Sequence, residues 1–384
     1  MTFLTLRFGG TRVKFNFWAR AGRSRLTDIT PKSESEPEHG RILVLGIGGA
    51  GNDVLNRLIE AGITRAECVG IDTDMQQLKL VTASQKVLIG KKVTRGLGTG
   101  GNSMVGRAAI EESKLLIENL LRNVEVVFIA ASLGGGTGMS ATPLVAQIAR
   151  RNGAVTVGVV TTPLKIEKKK VTHAALALNK IRNVCDTVVV IDSNKFVKSA
   201  SNLPMNEAFK IADQVSANTI KGIVDSISTP SLVNLDFADF RAMVRTGGLA
   251  MISIGESAAT NRAEEAVRNA FKNPLLDVDY AGATGALVHI SGDSNMEIEE
   301  AKRVGTFVTE MLGQGALVKF GARTSPGSNG FLKVTLVMTG VRSPNLMNGV
   351  EYIMSKLFDI ESWYSEPEKQ LQVDLSLDQI EKFE

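Results

Sequence analysis

Cysteine and histidine are scarce in this chain, its charge is nearly balanced, and it has no long apolar run. The two cysteines, Cys68 and Cys185, stand in apolar strand-like stretches without a CxxC spacing, which points to a reducing compartment and away from a structural metal. Three scattered histidines, His39, His173 and His289, make no ligand set, so no metal-binding cluster is expected. A formal charge of +4 over 384 residues gives no argument for nucleic acid as a partner. No stretch approaches the ~18 consecutive apolar residues of a membrane-spanning helix. The G-x-x-x-x-G-K-[ST] pattern is missing too, which excludes a P-loop NTPase.

What is present reads as a chain with ample material for a full core, 43% apolar and 22% charged. Residues 1–40 form a basic extension, read as disordered, with a linker in "TPKSESEPEHG". From Arg41 short apolar runs ("RILVLGI", "AECVGID", "KVLIG", "VEVVFIA", "AVTVGVV", "TVVVID") alternate with amphipathic stretches. That alternation predicts an α/β fold, a doubly wound parallel sheet with helices on both faces, over residues 41–204. Met205–Ser228 contains no proline and a single glycine, and its three-and-four apolar spacing predicts one long central helix. With the acidic stretch behind it, this helix makes a segment 205–240. A second, smaller α/β domain follows over 241–340, and 341–384 is a linker with an acidic tail.

Chemistry concentrates in glycine-rich loops. "GIGGAG" places Gly46, Gly48 and Gly51 in the G-x-G-x-x-G spacing of a dinucleotide site, and Asp72 stands where such a site keeps a ribose-binding acid. Two more loops argue for a different ligand. "GGGTG" (Gly134, Gly135, Gly136, Thr137, Gly138) follows a strand and opens a helix, and "RGLGTGGNS" (residues 95–103) also precedes a helix. Such loops turn backbone amides inward, and the helix behind adds its positive end. Three anion loops at the carboxyl ends of one sheet fit a triphosphate better than one pyrophosphate. The phosphates would be held mainly by backbone amides, with a cation helping to neutralise them.

"GGAGN", "GGGTG" and "NLDFAD", in this order and spacing, resemble the FtsZ/tubulin family of polymerising GTPases, and its archaeal and bacterial FtsZ members most of all, over about Arg41 to Gly340. The resemblance implies a tubulin/FtsZ fold, GTP and GDP as ligands with Mg2+, and self-assembly into head-to-tail protofilaments. It also implies a cytoplasmic place at the division site. Residue by residue, Gly48, Gly49, Gly51 and Asn52 match the first phosphate loop. Gly100 and Gly101 match the loop at the terminal phosphate, and Gly134 to Gly138 the central cradle. Glu167 matches a ribose contact, Phe209 the ring that stacks on guanine, and Asp213 the carboxylate that reads its two adjacent donors. Four positions depart from the pattern: Asp72, Met139 with Ser140, Val171 and Ser193. They bear on affinity, turnover and guanine selectivity, and the reading is of a working but atypical GTPase.

Asp236 and Asp239 are three apart and share a face of a helical turn, suited with Asn234 to polarise a water for attack on a phosphate. They follow the long helix, which spans ~36 Å at about 1.5 Å per residue, so they lie far from their own nucleotide. A neighbouring subunit, stacked head to tail, would present them instead; that contact does not close and so grows filaments. The tail "LQVDLSLDQIEKFE" would dock on a membrane-tethering division protein, as the resemblance implies, while the basic N-terminus could meet anionic lipid directly. Two other readings stand beside the GTPase: a nucleotide-binding cytoskeletal scaffold with little hydrolysis, and an NAD-dependent oxidoreductase using Asp72.

Overall fold

The computed structural model describes residues 3–8, 11–16, 40–194, 197, 204–228, 237–245, 248–272, 280, 282–312, 315–324 and 330–341. Within the extension read as disordered, β1 (Phe3–Phe8) and β2 (Thr11–Asn16) pair as an antiparallel hairpin. The main body is one ten-strand sheet. Its strands are β3 (Ile42–Ile47), β4 (Glu67–Asp72), β5 (Gln85–Leu88), β6 (Val126–Ser132), β7 (Val155–Thr161), β8 (Thr187–Ile191), β9 (Leu249–Ser257), β10 (Gly285–Gly292), β11 (Leu317–Thr324) and β12 (Leu332–Val341). Their order is β11-β10-β12-β9-β8-β7-β6-β3-β4-β5, and all neighbours run parallel except the two ladders made by β12.

The central strands are β-branched and apolar along their whole length because both faces are covered. On one face Leu43, Leu45, Val127 and Ile129 meet helices α4 (Ser103–Glu112), α6 (Gly136–Arg151) and α7 (Lys168–Val184), through Ile110, Val145 and Ile181. On the other, Val44, Val126 and Phe128 meet α1 (Gly48–Glu60) and the long α8 (Met205–Ser228), through Leu55, Ile220 and Val224. Gly51 is what lets α1 approach so closely, since any Cβ there would run into the carbonyl of Ala130 on β6.

The two halves expected as separate domains share this sheet. β8 and β9 pair through Val188↔Leu249 and Val189↔Ala250, and α8 lies under both halves, its apolar face continuous with Leu287, Val337 and Ile252. On the opposite face of the second half, α10 (Arg262–Phe271) and α11 (Ile298–Leu312) pack on Val288, Ile290 and Leu336. A short α9 (Phe237–Val244) follows α8, and the smaller helices α2 (Met75–Leu80), α3 (Lys91–Thr94) and α5 (Lys114–Leu120) complete the first half. Among the described residues no helix is long and apolar enough to cross a membrane.

Candidate functional site

β3 and β6 are neighbours whose following helices, α1 and α6, cover opposite faces of the sheet. This is the point where strand order reverses, and a crevice opens there beyond the carboxyl ends of the strands. Both helices begin inside glycine loops. Neither has a side-chain cap, and neither carries an acid in its first turn. Their first N–H groups have no intrahelical partner, so two positive helix ends converge on one crevice. The loops touch: Gly48, at φ +74, leaves so little space that a Cβ would stand 3.2 Å from the Gly138 nitrogen.

The third loop closes the crevice from the β4 side. It folds back on the segment after Asp72 through Met75 N–H to Gly96 O at 2.9 Å and Gly98 N–H to Thr73 O at 3.2 Å. Its Gly101–Asn102 backbone rests directly on Gly136, and Asn102 then caps α4 by accepting from the Met104 amide at 2.9 Å. Gly100 and Gly101 both have positive φ, and a Cβ on either would meet open space. The Thr73 and Thr137 hydroxyls are 2.8 Å apart and buried, so all three loops form one connected cradle.

Three of the four departures from the sequence pattern have a place in this scaffold. Asp72 is buried, accepts from the Thr73 and Asp74 amides at 2.7 and 3.2 Å, and receives the Asn52 amide at 3.3 Å. Burial pushes its carboxyl above the usual range, with the backbone N–H groups pulling the other way. Both oxygens of this acid are thus engaged by the fold itself, which weakens the case for an oxidoreductase that would set it against a ribose. Asn52 lies beneath the first loop, its amide also reaching Ile71 O at 3.2 Å, and its Oδ1 is buried without a hydrogen-bond partner. Met139 faces the core, and the Ser140 hydroxyl ties α6 to α4 through Ser103 O at 2.8 Å. Ser193 is buried, and beside it Asn194 stitches the β8 exit to the β7 exit by accepting from Lys165 N–H at 2.7 Å.

Glu167 stands in the loop after β7, paired with Lys170 and accepting from the Leu164 amide at 3.3 Å. Phe209 is exposed near the start of α8, and Asp213 follows one turn later against α1. Burial, and then the nearby Asp53 carboxylate, push Asp213 up to about 7, with Arg57 pulling it back. Leu97 and Ile166 on loops and Met104 in the first turn of α4, 80, 79 and 72% exposed, leave an apolar rim around the crevice.

Asn234 and Asp236 lie outside the described residues. Asp239, in the first turn of α9, pairs with Lys319 of β11 at 2.9 Å. Four residues on, Met243 lies against Gly285 at the start of β10. β10 runs parallel to β9, and β9 to β8, so α9 sits at the amino edge of the sheet whereas the glycine loops sit at its carboxyl edge. The structure therefore brings Gly48, Gly100, Gly101 and Gly134 to Gly138 together and leaves Asp239 apart from them. Thr73, Asn194 and Lys319 were missed in the sequence. A threonine directly after a strand could have flagged Thr73, but nothing local marks Lys319, whose partner is 80 positions away.

Strand order, switch point and convergent glycine loops define an α/β protein of the nucleotide-binding class. Residues 41–201 match the GTPase domain of the Tubulin/FtsZ family, and residues 248–342 the C-terminal domain of the FtsZ family. The chain is 45% identical over 324 residues to cell division protein FtsZ 2 of Methanocaldococcus jannaschii, covering 84% of this chain and 85% of that protein. It is also 45% identical over 304 residues to cell division protein FtsZ 1 of Pyrococcus furiosus, with coverages of 79% and 82%. Among solved structures, an empty FtsZ dimer from M. jannaschii superposes with a TM-score of 0.74 at 45% identity, over 78% of this chain and 88% of that one. The chain belongs to the tubulin/FtsZ family, in its FtsZ branch.

Proposed function

We propose that this protein binds GTP in the glycine-loop crevice, assembles head to tail, and hydrolyses GTP only where the Asp239 end of one subunit meets the crevice of the next. The observation that carries the reading is the separation itself: the glycine loops lie on one edge of the sheet and Asp239 on the other. The exposed apolar rim of Leu97, Met104 and Ile166 supports a face that another subunit covers. Phe209 would stack on the base and Asp213 accept its N1 and N2 hydrogens. The neighbour's Asp239, with Asp236 and Asn234, would orient the attacking water. Magnesium would arrive on the triphosphate, since no three His, Cys, Asp or Glu side chains among the described residues form a ligand group. The biological setting is the cytoplasmic division ring, with the acidic tail handed to a membrane-tethering partner.

Mixing two inactive variants tests the shared site. Asp239→Ala keeps its crevice but presents an incomplete acid set, and Gly136→Ala keeps both acids but has a distorted crevice. Each alone should turn over little GTP, and the mixture should recover a measurable fraction of the parent rate. A mixture as inactive as its components would overturn hydrolysis in trans.

A further inference from the structure

β11 forms one edge of the ten-strand sheet, with β10 as its strand partner among the described residues. The opposite edge, β5, has only 4 residues, whereas β11 has 8 and leaves Leu317 and Phe320 exposed. A long edge with exposed apolar residues is a template for another strand. Alternation divides β11 into two rows. Val318, Phe320 and Ala322 lie on the α11 side, where Gly305 leaves room beside the Phe320 ring. Lys319, Gly321 and Arg323 form the other row. Arg323 has a buried Nε without a hydrogen-bond partner. A guanidinium N–H left unmatched beside a sheet edge calls for an anionic acceptor.

The sequence of the tail offers the complement. In "LQVDLSLD" the apolar Leu371, Val373, Leu375 and Leu377 alternate with Gln372, Asp374, Ser376 and Asp378. Asp374 and Asp378 are four apart, as are Lys319 and Arg323. In either strand direction, a register that sets one carboxylate opposite one cation sets the second pair as well. It also places the apolar row beside Phe320 and Ala322. The cations of β11 discourage an uncharged strand and select an acidic one.

We propose that Leu371–Asp378 adds to β11 of the same molecule as an edge strand, its carboxylates meeting Lys319 and Arg323. The reach is short. β12 stops at Val341, and residues 342–370, 29 in all, connect it to the segment. A chain of 29 residues can reach up to about 3.3 Å per residue, far beyond the need, since β11 and β12 are separated only by β10, about 10 Å across. Tethering of this kind gives an effective concentration on the order of millimolar, which favours the chain's own tail over another copy's at micromolar protein. A seated tail is withheld from outside partners, so the edge acts as a storage site that a tethering protein must outcompete. The storage role rests on the proposed reading of the tail as a partner-docking segment; the docking itself does not, and it asks Lys319, paired with Asp239 at 2.9 Å, to serve a second carboxylate.

Amide hydrogen exchange across Val318–Thr324 tests it, comparing the full chain with one cut after Ser365 at low micromolar concentration. Exchange in the full chain should be about tenfold slower, the factor that a millimolar effective concentration gives for a segment binding at about 0.1 mM. Leu375→Pro, which removes a ladder donor, and Arg323→Glu should each return it to the rate of the shortened chain. Equal exchange in full and shortened chains would overturn the proposal. Protection that grows with protein concentration would overturn it as well, because another copy's tail would then be the occupant.

Discussion

Gly136→Ala should cost the protein its nucleotide. A Cβ at this position would press on the Thr99 hydroxyl and stand 2.8 Å from the Gly101 carbonyl carbon and 3.0 Å from the Asn102 nitrogen. Two of those atoms are backbone, so no rotamer change relieves the contact and the third loop must move away from the second. Overpacking of this kind costs about 1–3 kcal/mol of stability. Losing the alignment of one or two charge-assisted hydrogen bonds to phosphate costs a further 2–3 kcal/mol or so in binding, roughly fiftyfold in affinity. Gly135→Ala is the informative comparison. Its φ of −105° suits alanine, and the added methyl meets no protein atom within 4 Å. Weakened GTP binding there, at unchanged melting temperature, would place a phosphate against that stretch of the cradle. Both variants are read by titration with a fluorescent GTP analogue and by thermal unfolding.

Asp213 should make GTP binding depend on pH in the neutral range. In the nucleotide-free protein, burial and Asp53 hold its carboxyl at about 7, and only the ionised form accepts both guanine hydrogens. Affinity should therefore be full near pH 8 and fall as pH drops through 7, approaching tenfold per unit below that. The effect on stability has the opposite sign. A carboxyl whose folded pKa lies above its unfolded value of 3.8 stabilises the free protein fully below 3.8. That contribution is lost as pH rises towards 7. Asp213→Asn should accordingly raise the melting temperature of the free protein at pH 8, abolish the pH dependence, and weaken GTP binding by about 2–3 kcal/mol. An asparagine presents one acceptor and one donor, so the variant should favour xanthosine triphosphate, which carries a carbonyl where guanine has its amino group. GTP binding that is flat from pH 6 to 8 would exclude Asp213 from the base contact.

The sheet and the long helix were legible because their signals are local. Buried β-branched runs mark the strands, and the apolar spacing of Met205–Ser228 coincides with α8. Tertiary contacts account for the misses. The residues after Asn102 form two helices, α4 and α5, divided at Ser113, whose hydroxyl accepts the Gly90 amide at 2.9 Å while Glu112 accepts the Lys92 and Val93 amides, contacts that no local pattern displays. The glycines of the crevice were legible because a loop that must turn amides inward tolerates little else. The role of Asp72 was not, because whether a strand-end acid faces a ligand or caps its own backbone depends on burial that the sequence does not display. The pairing of Asp239 with Lys319, and the joining of the two halves through two residue pairs of β8 and β9, are likewise products of packing.

Catalysis completed between subunits is the central claim, and GTP turnover per subunit across protein concentrations tests it most directly. The account predicts almost no turnover below a threshold concentration and a steep rise above it. It also predicts loss of at least about a hundredfold in Asp239→Ala, the scale seen when a water-positioning group is removed, while that variant still binds GTP. Turnover per subunit that is the same at every concentration and indifferent to Asp239 would contradict it.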